Sequence, residues 1–240
     1  MKPRPQPTLQ TTTLWDFPSQ NYGEGRQGDP AYPGATPSYV VWNLLQRYTR
    51  PRDLVVDPMC GSGTTLDVAR DLDRRALGYD LQPQRRDIYR ADARKLPLED
   101  AKADFVFVDP PYSTHLEYSK DPQCLGELDA HQPEYFAAFA AVLAEIDRIL
   151  RPDRYLAVYV SDTWDQQQGF VPIGFRMSEL LSRRFTAVEQ IAVDLPNQSL
   201  QRPEYHKAAA AQGFFLRGFL HLLVFAKGDP QRRPQGAAAP

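Results

Sequence analysis

The sequence predicts an α/β domain, a doubly wound and mostly parallel sheet of seven strands whose closing strand runs antiparallel. Three observations carry this. Short apolar runs recur along the chain, as in Leu54-Val-Val56, Phe105-Val-Phe-Val108 and Tyr155-Leu-Ala-Val-Tyr-Val160. Segments of helical apolar spacing separate them. The first two runs end in clusters that open with aspartate and proline, the first of them also glycine-rich, as strand tips facing a ligand do in open parallel sheets.

Taken in order, Pro37 to Tyr48 has helical spacing and leads into the first strand, Leu54 to Val56. Thr64 to Leu72 forms a second helix, followed by the strand Arg75 to Asp80 and the short run Asp87 to Tyr89. Phe105 to Val108 is the next strand. A longer helix runs from about Pro133 to Leu150, with Phe136, Phe139, Leu143, Ile146 and Leu150 on one stripe. Tyr155 to Val160 reads as a strand, Ile173 to Arg184 as a helix, and Phe185 to Val193 and Phe219 to Phe225 as closing strands. Residues 1–10 and 228–240, rich in Pro, Gln, Arg and Ala, read as disordered ends, leaving 11–227 as a single domain.

With 240 residues and 42% hydrophobic content, the chain can bury a substantial core without staples. Its two cysteines, Cys60 and Cys124, lie far apart, which suits a reducing compartment and excludes a cysteine zinc framework. His115, His131, His206 and His221 have no metal-ligand spacing, so no metal is expected. Neither a signal peptide nor an apolar run of membrane-spanning length is present, and the expectation is a cytoplasmic protein off the membrane. The formal net charge of −2 gives no broad attraction to phosphates, so any nucleic acid must be held by local basic clusters.

The first strand-end cluster, Asp57-Pro58-Met59-Cys60-Gly61-Ser62-Gly63-Thr64-Thr65, works through its glycines. They permit positive φ and close backbone approach to a ligand just before a helix. A phosphate loop of the GxxxxGK[ST] type needs a lysine that this stretch lacks, which argues against ATP or GTP. A dinucleotide fingerprint would place a third small residue where Leu66 stands. The remaining alternative is a plain strand-to-helix turn. Asp80, ending the second strand about twenty residues after the glycines, is suited to the two hydroxyls of a ribose. Asp92 arrives at the same sheet edge and reads either as a ligand acceptor or as a helix cap.

The second cluster, Asp109-Pro110-Pro111-Tyr112, lies 52 positions after Asp57. Together the clusters resemble S-adenosylmethionine-dependent DNA amino-methyltransferases, marked by a [DNS]-P-P-[YF] tetrapeptide and an FxGxG-like loop. The resemblance spans roughly residues 11–227. It implies a Rossmann-like class I methyltransferase fold, with S-adenosylmethionine held by residues 57–65, Asp80, Asp92 and an aromatic residue of the N-terminal arm. Phe17 or Trp15 is that aromatic; covering the sheet edge is their alternative role, and Tyr32 to Pro37 is the other candidate for the wall.

For the tetrapeptide the resemblance implies catalysis. An exocyclic amine on a base is a poor nucleophile because its lone pair is delocalised into the ring. Asp109 and the Pro110 carbonyl, each accepting one amine hydrogen, favour a pyramidal nitrogen whose lone pair faces the sulfonium methyl. Paired prolines fix φ and hold that carbonyl in place, and Tyr112 can stack on the base. The bland alternative is a proline turn after a buried strand.

A base within a duplex must be flipped to reach such a pocket. His115, Tyr118 and Lys120, directly after the tetrapeptide, are candidate substrate contacts. Asn197, Arg202, Tyr205, His206, Lys207 and Arg217 form a second group, between the last two strands. A short helix from about Pro203 to Ala211 is the competing reading of that stretch. There is little room for a large recognition module, so the chain departs from the fuller DNA-enzyme pattern. It therefore reads a short site, relies on a second copy or a specificity subunit, or acts on RNA. The expected function is methyl transfer to an exocyclic amino group of a nucleic-acid base, N6 of adenine in DNA first. N4 of cytosine, an RNA base, and a non-catalytic nucleic-acid-binding subunit are the alternatives.

Overall fold

The computed structural model describes residues 4–112, 119, 121–165, 167–194 and 202–229. Its strands are β1 (Leu14–Trp15), β2 (Leu54–Asp57), β3 (Arg75–Asp80), β4 (Ile88–Arg90), β5 (Ala103–Val108), β6 (Leu150–Val160), β7 (Thr163–Asp165), β8 (Gly169–Val171), β9 (Thr186–Asp194) and β10 (Phe219–Lys227). The helices are α1 (Ser38–Tyr48), α2 (Thr64–Asp71), α3 (Pro133–Ile149), α4 (Ile173–Ser182) and α5 (Pro203–Gln212). The main sheet has the order β1-β9-β10-β6-β5-β2-β3-β4, and β7 pairs only with β8. β10 is antiparallel to both its neighbours, whereas the other pairings in the main sheet are parallel.

β5 shows why the central runs are apolar without alternation. All six of its residues are buried. Val106 and Val108 face a core beneath α3 and α4, while Phe105 and Phe107 face a second core beneath α1. Successive strand residues point to opposite faces, so a strand covered on both sides must be apolar throughout. Truncating a fully buried phenylalanine such as Phe105 typically removes about 3–5 kcal/mol.

Several expectations change. The sheet has eight strands rather than seven, because Leu14–Trp15 adds to the outer edge of β9. Trp15 is buried beneath that edge and Leu14 points outward, so the arm covers backbone groups that an edge strand would leave open. α3 presents Tyr135, Phe139, Val142, Leu143, Ile146 and Ile149 to the core, and Leu150 already opens β6. Residues 4–10, expected to be disordered, lie on the domain. Arg4 Nε donates to the Gly23 carbonyl at 2.9 Å, Tyr39 Oη donates to the Pro5 carbonyl at 2.9 Å, and the Gln10 amide donates to Asn43 Oδ1 at 2.7 Å. The β7–β8 hairpin was not expected, and of the two readings of 203–211 the structure takes the helix.

Candidate active site

The tips of β2, β3 and β5 stand side by side, and the loops leaving them line a cleft that opens to solvent. Asp57, at the tip of β2, is buried and braces the glycine loop at both ends. It accepts from the Met59 amide at 3.1 Å and from Thr65 Oγ1 at 2.6 Å. Burial pushes its carboxyl up to about 7; the Thr65 and Met59 bonds oppose the shift and the charge of Asp80 adds to it.

Gly61 and Gly63 have φ of 47° and 86°. A Cβ on Gly61 would sit 3.0 Å from the Tyr32 ring, and one on Gly63 would sit 2.5 Å from the Arg85 guanidinium. Both positions therefore combine a left-handed backbone with close approach. Asp80 fastens the loop to β3, since Oδ2 accepts from the Gly61 amide at 2.9 Å and Oδ1 from the Gln82 amide at 2.8 Å. On the outer side Arg85 grips both Asp67 oxygens, at 2.7 and 2.9 Å, and reaches the Ser62 carbonyl at 3.2 Å.

At the tip of β5, Asp109 and Pro111 line the cleft, Pro110 is buried and Tyr112 is half-buried. Two residues from distant elements hold this turn. Thr36 Oγ1 donates to Asp109 Oδ2 at 2.5 Å, and the buried Tyr135 donates its hydroxyl to the Pro111 carbonyl at 2.8 Å. Burial pushes the Asp109 carboxyl up to about 8, opposed by the Thr36 bond and helped by the nearby charge of Asp57. Burial, with Asp109 beside it, also raises the Tyr112 phenol above its ordinary range.

Asp57, Pro58, Met59, Cys60, Gly61, Ser62, Thr64, Thr65, Asp80 and Asp92 all line this cleft. Gly63 shapes the loop without lining it. Asp92 is taken up locally, accepting from Arg94 Nε at 2.9 Å and Nη2 at 2.7 Å and from the Arg94 amide at 2.9 Å. Burial opposes its charge, but the Arg94 bonds outweigh burial and hold the carboxyl below its usual range.

Phe17 is not in the cleft wall. It is 8% exposed and stacks on Tyr39 at 5.2 Å, so the apolar core has claimed it. Tyr32 and Gly34–Thr36 form the wall instead, the other candidate named from the sequence. Arg202, Tyr205, His206 and Lys207 lie exposed on or beside α5, and Arg217 lies in the turn before β10; none lines the cleft. His115, Tyr118, Lys120 and Asn197 fall outside the described residues. Sequence reasoning missed Thr36 and Tyr135 as holders of the tetrapeptide, and also Gln82, Gln123 and Cys124 in the lining.

The described part of the lining is rich in carboxyl groups. Among the described residues, Asp57, Asp80, Asp92 and Asp109 line the cleft together with one guanidinium, Arg94, which is already paired with Asp92. Among the described residues no ion pair reaches Asp57, Asp80 or Asp109 within 4.0 Å.

These features match known proteins at two levels. The architecture is that of the Rossmann-like class I methyltransferases. A geranyl diphosphate methyltransferase solved with GPP and sinefungin superposes with a TM-score of 0.53 at 13% identity, covering 84% of this chain and 85% of that one. TrmN from Thermus thermophilus gives a TM-score of 0.53 at 18% identity, over 81% of this chain and 50% of that one. At such identities the likeness is one of fold.

Sequence comparison supports the family resemblance over the part of the chain that holds the first of the two motifs. Residues 3–91 match the N6/N4 methyltransferase family, described as DNA methylase. A 75-residue stretch is 31% identical to the Type II methyltransferase M.BglII of Bacillus subtilis, covering 31% of this chain and 20% of that protein. The family match includes the glycine loop and Asp80 but ends before Asp109. No described helix is long and apolar enough to cross a membrane.

Proposed function

We propose that the protein uses S-adenosylmethionine to methylate an exocyclic amino group of a nucleic-acid base, N6 of adenine in DNA. The observation that carries this is that Asp109 and Pro111 of the tetrapeptide line the same carboxyl-rich cleft as the glycine loop. The described lining residues offer a phosphate no cation beyond Arg94, which Asp92 already pairs, and present carboxyl groups instead. S-adenosylmethionine, with a sulfonium, an ammonium and no phosphate, fits that charge. Asp80 would take its ribose hydroxyls, the amides of the 57–65 loop and Asp57 its methionine portion, and Asp92 its adenine edge. Bound there, it supplies an electrophilic methyl group.

The chain's own residues prepare the nucleophile. Asp109 and the Pro110 carbonyl accept the two hydrogens of the amine and so draw its lone pair out of conjugation. Thr36 fixes the carboxylate, and Tyr135 occupies the Pro111 carbonyl and so holds the turn. A carboxyl whose pKa is pushed up to about 8 can also take the proton that the methylated nitrogen sheds near neutrality. Tyr112 offers its ring as a stacking face. The acidic first residue of the tetrapeptide favours adenine over cytosine, by the family resemblance. Recognition is of a short site, or is shared with a second copy or a separate specificity subunit.

Asp109→Ala tests the reading. It should abolish transfer of a labelled methyl group to DNA while leaving cofactor affinity within about twofold. Wild-type activity in that variant would overturn the role of Asp109.

A further inference from the structure

β6 lies beside β5 in parallel register, with Val158 opposite Val108, so residues 161–162 emerge next to the tetrapeptide. The surface that begins there holds a group of exposed aromatic side chains. Trp164, on the β7–β8 hairpin, stacks on Phe214 at 4.0 Å and an interplanar angle of 14°. This contact pins the turn before β10 to the hairpin. With Phe214 held inward, Phe215 is turned out to solvent and is 84% exposed. Phe170, on β8, is 49% exposed, and the Arg217 guanidinium lies 5.1 Å from its ring centroid while Nε donates to the Phe215 carbonyl at 3.2 Å.

Beneath the patch, Asp162 accepts from the Gly174 amide at 2.9 Å and pairs with His221 at 3.0 Å. This half-buried carboxylate also lies within electrostatic reach of Arg217. Single exposed apolar residues are ordinary, but two outward phenylalanines joined by one arginine, which covers the ring of Phe170 and holds the main chain of Phe215, are not.

We infer that this platform binds single-stranded DNA beside the base being methylated, with Phe215 and Phe170 stacking on unpaired bases and Arg217 meeting the phosphate backbone. The inference rests on the proposed function and names the form of its substrate. A flat aromatic face in solvent suits a base whose own face is open, which a continuous duplex does not offer; a mobile phosphate chain suits the adjacent guanidinium. A partner protein would use the phenylalanines but would leave Arg217 without an evident counterpart.

The test is fluorescence anisotropy with a short labelled DNA strand, the same sequence as duplex, and the same sequence as RNA, using the full chain. Wild type should bind the single DNA strand more tightly than the duplex. Phe215→Ala and Phe170→Ala should each weaken single-strand binding by roughly tenfold, as loss of one stacked base does. Arg217→Gln should also reduce the salt dependence. Phe215 is so exposed that its truncation should leave folding and cofactor affinity intact, which calorimetry checks.

Equal strand affinity in wild type and Phe215→Ala, absence of strand binding, or a stronger Phe215-dependent preference for RNA would overturn the inference. So would a dimer that Phe215→Ala converts to monomers. Methylation of DNA with no effect of Phe215→Ala would sink the platform and leave the proposed function standing. Phe215-dependent strand binding without any methyl transfer would do the reverse.

Discussion

Thr36→Val isolates the contact on which the tetrapeptide depends. Thr36 Oγ1 donates to Asp109 Oδ2 at 2.5 Å, and this bond opposes the rise that burial imposes on the Asp109 carboxyl. Valine keeps the volume and removes the donor. A hydrogen bond to a charged group contributes about 1.5–3 kcal/mol, and one pKa unit corresponds to about 1.4 kcal/mol. Losing the bond should therefore move Asp109 from about 8 toward more alkaline values, by roughly one to two units. The sign follows from which form the donor favours: the hydroxyl stabilises the carboxylate, so its loss favours the protonated acid. Methyl transfer measured below saturation of both substrates reports the free enzyme. At pH 7 the variant should be slower by about ten- to a hundredfold, and the gap should close above about pH 10. A uniform loss at every pH, or an unmoved profile, would refute the assignment of Thr36 as the group that sets the charge of Asp109.

Two further predictions concern the loop and the buried acids. Asp80→Ala removes the acceptor of the Gly61 and Gln82 amides together with the proposed ribose contact, and should weaken S-adenosylmethionine binding by at least about tenfold; an unchanged Kd in calorimetric titration would contradict it. Asp57 and Asp109 have folded pKa values pushed up to about 7 and about 8, above those of an unfolded aspartate. Their contribution to stability is complete below about pH 4 and is lost as pH rises through 7 to 8. The ligand-free protein should thus show a falling Tm between pH 5 and 9, with a shallower fall for Asp109→Asn. Parallel curves for the two proteins would count against a raised pKa at Asp109.

Much of the architecture was legible because central strands need unbroken apolar runs and helices need a stripe, and both leave a periodic trace. β1 left none: two residues cannot show a period, and Leu14–Trp15 is a strand only because the edge of β9 is there to pair with. The β7–β8 hairpin is similarly short. The two halves of the site were legible as motifs, since glycine at positive φ and paired prolines have few alternatives. Their supports were not. Thr36 stands 73 positions from Asp109 and Tyr135 stands 24 from Pro111, and neither lies in a pattern that marks a ligand. Phe17 shows the converse, an aromatic whose composition suited a ligand wall but whose place was decided by a neighbouring tyrosine in the core. Around α5 the sequence allowed a helix or a contact loop, and a segment with only Ala209 buried, exposed on most sides, satisfies both descriptions.

The central claim is that the acidic cleft and the Asp109–Tyr112 turn act together on an amino group of DNA. It is tested most directly by incubating the protein with methyl-labelled S-adenosylmethionine and DNA, digesting to nucleosides and identifying the labelled one by mass spectrometry. N6-methyladenosine of the deoxy series is the product expected. Label on a ring carbon, or no label in DNA under conditions where the cofactor is bound, would contradict the claim.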